Sequence, residues 1–199
     1  TLETSAIHTI KYQDQKKRDL IEERIKASWT KMPLTIRIDL IGELVNIAIS
    51  HDDKDKALKL VNEGQEIKDN AKWPLDHDIK LSAKLAKMRY QAGDRKKARK
   101  NLDSALVLFE DKGKDNIVDI YRAKVLIPVA EAYHIMGQSD TCLSVYEMSL
   151  EQATVNPNSR PTADDLSAGC LSMALNSVDP GQELWKEIQE IGDGLGKPW

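Results

Sequence analysis

Two His-Asp pairs, His51-Asp52 and His77-Asp78, are the residues of this chain whose types best suit catalysis. Imidazole and carboxylate ligands together hold divalent metals, which activate water for phosphoester hydrolysis; Asp115 or Asp119 could supply a distant further ligand. Both pairs fall where helices end, however, and there Asp caps and His closes a helix for structural reasons. No glycine-rich phosphate loop, Gly-x-Ser-x-Gly elbow or Cys-x-x-Cys pair is present. The expectation is therefore no catalytic residue, no bound metal and no cofactor. A second chemistry is electrostatic. Residues 80 to 100 hold Lys80, Lys84, Lys87, Arg89, Arg95, Lys96, Lys97, Arg99 and Lys100 against Asp94 alone, 9 − 1 = +8 inside a chain of net charge −3. Such a cluster can hold phosphates or acidic peptide tails; the competing reading is a solvated face whose long stems cover apolar surface.

The elements that position these residues repeat. Pro33-Leu34-Thr35-Ile36 recurs as Pro74-Leu75-Asp76-His77, and Lys56-Ala57-Leu58-Lys59 recurs as Lys97-Ala98-Arg99-Lys100, both at a step of 41 (74 − 33 and 98 − 57). A shared offset of this size is the mark of stacked repeats. Apolar residues follow helical spacing throughout: Leu40, Leu44, Ile47 and Ala48; Leu81, Leu85, Met88 and Ala92; Leu126, Val129, Ala130 and Tyr133. Each group is followed by a turn and a second helix, and no stretch alternates as a strand would. The turns Ser50–Asp53, Ala92–Arg95 and Met136–Ser139 occupy the same place in each unit. Gly93 and Gly137 suit a left-handed closing residue, and the Asp or Ser that follows can cap the next helix. Pro33, Pro74 and Pro161 open the first helices of units one, two and four. The third unit departs, its first helix beginning near Asn116 and carrying Pro128 inside, where a kink is expected.

The small, aromatic and glycine positions Ala130, Tyr133, Gly137, Cys142, Tyr146 and Ser149 resemble the helix-turn-helix of the tetratricopeptide repeat, and Ala86, Arg89, Gly93, Ala98, Leu102 and Ala105 fill the same spacing. Val45, Ala48, Asp52, Ala57, Val61 and Gly64 do so in the first unit. The repeat in that family is about 34 residues, whereas the steps here are 41 and 44 (142 − 98), so the chain is similar to its long-repeat branch and the extra residues lie between the second helix and the next unit. The resemblance implies an all-α, right-handed α-solenoid of antiparallel helix pairs that acts as a protein- or peptide-binding scaffold or regulatory module. It also implies a concave groove lined by the first helices, which places Asn46, Lys84, Lys87 and Lys124 on that face with Lys80 and His134 close by, a lining suited to an acidic segment. Gly42 and Pro128 stand where a complete carboxylate clamp needs cations.

On this reading residues 1–199 form one helical-repeat domain, with capping helices at 1–30, helix pairs at 33–70, 74–111, 116–155 and 161–191, and an irregular tail at 192–199. The cap runs from about Gln15 to Trp29, with the segment around Ile7 to Tyr12 as its partner. No apolar run approaches the roughly 18 residues of a membrane span, so a soluble chain without membrane insertion is expected, the cytoplasm preferred and the compartment open. The first residue is not Met, which suggests a fragment or processed form. Two cysteines, Cys142 and Cys170, exclude a disulfide scaffold and read as buried thiols. The expected partner is a protein or peptide rather than nucleic acid, with oligomeric state open. An autoregulatory domain of a longer protein is the second reading, and an HD-type metal-dependent phosphohydrolase the third.

Overall fold

The computed structural model describes Ile7 and residues 9–196. Nine helices of at least 14 residues follow one another among the described residues, and no strand occurs there. They are α1 (Gln15–Ser28), α2 (Leu34–Ser50), α3 (Lys54–Asp69), α4 (Leu75–Gln91), α5 (Arg95–Leu108), α6 (Asp119–Ile135), α7 (Ser139–Ala153), α8 (Ser159–Asn176) and α9 (Gly181–Gly194). The chain is all-α. Packing groups it into two compact units, one of residues up to Lys72 with Met88–Lys96, the other of Trp73–Lys87 with Lys97 onward. In the first unit α2 packs on α3; in the second α6 packs on α7, α8 lies on both, and α9 joins α8.

One backbone turn recurs four times. Asp52, Gly93, Gly137 and Ser177 all have left-handed φ, at 56°, 106°, 70° and 54°. Each time the N–H of the next residue returns to a carbonyl five back: Asp53 to Ala48, Asp94 to Arg89, Gln138 to Tyr133 and Val178 to Met173, at 2.9, 3.2, 3.0 and 2.9 Å. This Schellman closure satisfies carbonyls that a helix end would orphan. Its steps of 41 (93 − 52), 44 (137 − 93) and 40 (177 − 137) are the repeat itself. At the fourth turn α9 starts at Gly181, two residues later after its left-handed residue than α7 starts after Gly137. That slip makes the buried Leu184 the counterpart of Cys142.

Capping is less uniform than the turns. Asp53 Oδ1 accepts from Lys56 N at 3.1 Å and Asp14 Oδ1 from Lys17 N at 3.0 Å, so α3 and α1 start on side-chain caps. Ser139 does not cap: it is already the first residue of α7, and Gln138 before it makes no side-chain bond. The helix α6 begins at Asp119 and runs through Pro128 to Ile135. In the stretch before it the chain widens into a π-helical turn, Phe109–Gly113, then one more turn, Lys114–Asn116. A Cβ at Gly113 would lie 2.6 Å from Phe109 Cδ2, so the buried ring there requires glycine. The helix α9 continues to Gly194, beyond the expected start of the irregular tail at 192, while residues 197–199 of that tail lie outside the described residues.

Inside each helix pair the repeat positions form the core. Val45, Ala48, Ala57 and Val61, then Ala86, Ala98, Leu102 and Ala105, then Ala130, Tyr133, Cys142 and Tyr146 are all buried. Small side chains at these positions let the paired backbones approach, and each buried Leu or Val contributes roughly 1.5–3 kcal/mol. Cys142 is buried as expected, and burial followed by the charge of Glu131 pushes its thiol up to about 11; Cys170 is only half-buried.

Candidate functional site

The side chains proposed to line a groove are placed as follows. In the first unit Asn46 is exposed on α2 and lines a cleft of about 330 Å³ with Ile7, Lys11, Tyr12 and Glu43. In the second unit Lys80, Lys84 and Lys87 lie half-buried on α4, and Lys124 and His134 half-buried on α6. Their charges do not all stand open. Lys80 Nζ pairs with Asp76 one turn earlier, at 3.7 Å. Lys124 Nζ sits 3.2 Å from Asp165 Oδ1, whose side chain on α8 is only 3% exposed. Lys124 is the cation that faces this oxygen, which has no further donor among the described residues. Burial pushes the Asp165 carboxyl above its ordinary value, Lys124 pulls it part of the way back, and neighbouring Asp164 adds to the rise.

A second polar chain joins the same helices. Ser172 Oγ on α8 donates to Glu131 Oε1 on α6 at 2.7 Å and meets the Tyr146 hydroxyl of α7 at 2.8 Å. Burial pushes the Tyr146 hydroxyl up to about 12, keeping it a donor at any physiological pH. Tyr146 is a repeat position, whereas Glu131, Asp165 and Ser172 were given no role from sequence alone. A signal existed, because Lys124 to Asp165 and Glu131 to Ser172 both span 41 positions (165 − 124 and 172 − 131), one repeat apart.

The basic run divides in the same way. Arg89 stands where Tyr133 stands one unit later (133 − 89 = 44), and both reach back to the preceding second helix. Arg89 is 2% exposed; its Nη2 donates to Asn62 Oδ1 at 2.7 Å and its Nη1 to Asp94 Oδ2 at 3.3 Å, while Nε finds no acceptor among the described residues. The Tyr133 hydroxyl donates to Asp103 Oδ1 at 2.8 Å, and burial together with this bond raises its pKa. Asn62 and Asp103 are themselves 41 apart (103 − 62). Arg89 therefore belongs to the core lock of its unit and takes no part in an open basic surface. On α5 Arg99 Nε donates to Asp103 at 2.7 Å with its guanidinium 5.1 Å from the Tyr133 ring, and Arg95 lies 5.4 Å from the Tyr90 ring.

The His-Asp pairs hold helix ends. His51 closes α2, its Nε2 3.0 Å from the Lys11 carbonyl and its ring within 3.3 Å of Arg18 Nη1. His77 lies in the first turn of α4, its Nε2 3.7 Å from Asp76 Oδ2. Among the described residues no group of three or more His, Cys, Asp or Glu side chains is arranged to hold a metal. No helix there is long and apolar enough to cross a membrane. In comparisons with protein-family models, curated proteins and solved structures, nothing matches this chain.

Proposed function

We propose that this chain is a polypeptide-binding module, a tetratricopeptide-like right-handed α-solenoid whose first helices offer a groove to an extended or helical segment of a partner protein. The observation that carries the reading is the fourfold left-handed turn with its matching buried positions. A unit repeated with this fidelity builds a preformed surface, and such a surface binds a segment without a folding cost of its own. The half-buried Lys84 and Lys87 on α4 are the side chains of this face that would meet the segment. Lys80 and Lys124 pair with Asp76 and Asp165 within the fold.

A photocrosslinking amino acid placed at residue 84 or 87 tests this in the native host. The expected result is a discrete polypeptide adduct from both positions and none from a control at the exposed Gln189 of α9. No polypeptide adduct at 84 or 87 refutes the groove.

A further inference from the structure

The first six residues of α5 are Arg95, Lys96, Lys97, Ala98, Arg99 and Lys100. At a helix N-terminus the backbone already presents partial positive charge, and the first turn of α5 contains no acid. Arg95 and Arg99, like Lys96 and Lys100, stand four apart on one face, where like charges weaken a helix. Arg95, Lys96 and Lys100 have no carboxylate partner among the described residues.

The repeat shows that the scaffold does not require these cations. The position of Lys96 is filled by Asp55 one unit earlier (96 − 55 = 41) and by Asp140 one unit later (140 − 96 = 44), acids that sit in the first turns of α3 and α7 and complement the helix dipole. Arg99 corresponds likewise to Leu58 and Leu143, and Lys100 to Lys59 and Ser144. Only unit two carries the whole stripe. We infer that the amino-terminal stripe of α5, Arg95, Lys96, Arg99 and Lys100, is a docking surface for an acidic, extended segment of a partner polypeptide.

Geometry and charge select that occupant. Lys96 and Lys100 are separated by about 6 Å along the helix axis, close to the roughly 7 Å between alternate residues of an extended strand, so carboxylates at every second position match them. The Arg95 guanidinium, held near the Tyr90 ring, is pre-ordered to grip a carboxylate edge; Arg99, beside the Tyr133 ring, already donates Nε to Asp103 and offers its Nη groups. A long polyanion fits poorly: nucleic-acid-binding domains are strongly basic overall, whereas this chain carries 32 Asp and Glu against 29 Lys and Arg, with pI near 5.8.

This inference rests on the polypeptide-binding reading, and one experiment separates them. The probe is a fluorescein-labelled peptide of alternating glutamate and serine, followed by anisotropy at low and at physiological salt, beside an oligothymidylate of equal charge. The test variant Lys96→Asp/Lys100→Ser installs the residues of unit three. It should melt at or above the wild-type temperature, because an acid returns to the first turn, and yet bind the peptide about tenfold or more weakly with a flatter salt response. Lys186→Glu on α9, outside the stripe and the groove, should leave the affinity unchanged, and Lys84→Glu/Lys87→Glu reads the groove as a second variant. Loss of binding in that second variant alone would overturn the stripe and leave the groove standing. No peptide binding by the wild type, equal binding by the stripe variant, or tighter binding of the oligonucleotide would each overturn the stripe as well. Should the double variant lose helicity by circular dichroism, Lys100→Ser alone, at an exposed position, carries the same comparison.

Discussion

Replacing Lys124 by methionine keeps an unbranched side chain of nearly the same length and removes the cation that faces Asp165. At the observed 3.2 Å, Coulomb attraction is roughly 5 kcal/mol at an effective dielectric of 20 and about 1.3 kcal/mol in water. The Asp165 side chain is 3% exposed and that of Lys124 41%, so the pair lies between these limits and the loss should be about 3 kcal/mol. For a chain of this size that lowers the melting temperature by about 6–12 °C. The sign with pH follows from the raised carboxyl: the folded state holds the Asp165 proton more tightly than the unfolded chain, so this group's contribution is fully present below its ordinary value and is lost as pH rises through the folded one. Without Lys124 the folded value rises further. The deficit of Lys124→Met should therefore be large at pH 7 and narrow at pH 5. Asp165→Asn should stay within about 1 kcal/mol of wild type, since it removes the buried charge itself, and adding Lys124→Met to it should cost little more. Calorimetric melting of the four proteins at both pH values checks this. A Lys124→Met midpoint equal to wild type at pH 7, or a deficit that does not change with pH, would refute the reasoning.

Ala98 is fully buried, so Ala98→Leu should cost roughly 1–3 kcal/mol by overpacking, while Lys97→Leu at the exposed neighbouring position should cost under about 0.5 kcal/mol; equal thermal midpoints would contradict the register. Gly113→Ala drives a Cβ to 2.6 Å from the Phe109 ring and should cost roughly 1–3 kcal/mol by chemical denaturation, relieved by Phe109→Leu in the same chain. Elemental analysis of purified protein should find no stoichiometric divalent metal, and a metal that departs with His77→Ala would restore the phosphohydrolase reading.

The helices and their turns were legible in the sequence because they are set within a few residues. A left-handed closure favours Gly, and Gly93 and Gly137 marked two of the turns; Asp52 and Ser177 adopt the same conformation without that signal, and only the structure shows it. Apolar periodicity likewise marked the buried faces, since a helix presents every third and fourth residue to one neighbour. The short segment after α5 was legible only as extra length. Its π-helical form depends on the fit of Phe109 against Gly113, which composition does not express.

Charge was the less legible part. Read along the chain, Arg89 and Lys100 are members of one basic run, and Lys84 and Lys124 are alike. Folding separates them: Arg89 is buried against Asn62 and Asp94, Lys124 faces a buried carboxylate from 41 residues away (165 − 124), and Lys96 and Lys100 stay in solvent with no carboxylate partner among the described residues. A side chain's charge state and reach are fixed by its type, so the sequence determined which residues could be cations, where the helices begin and turn, and that the unit repeats. Whether a cation is neutralised depends on which residue of another helix comes within about 4 Å, and that distance exists only once the helices have packed.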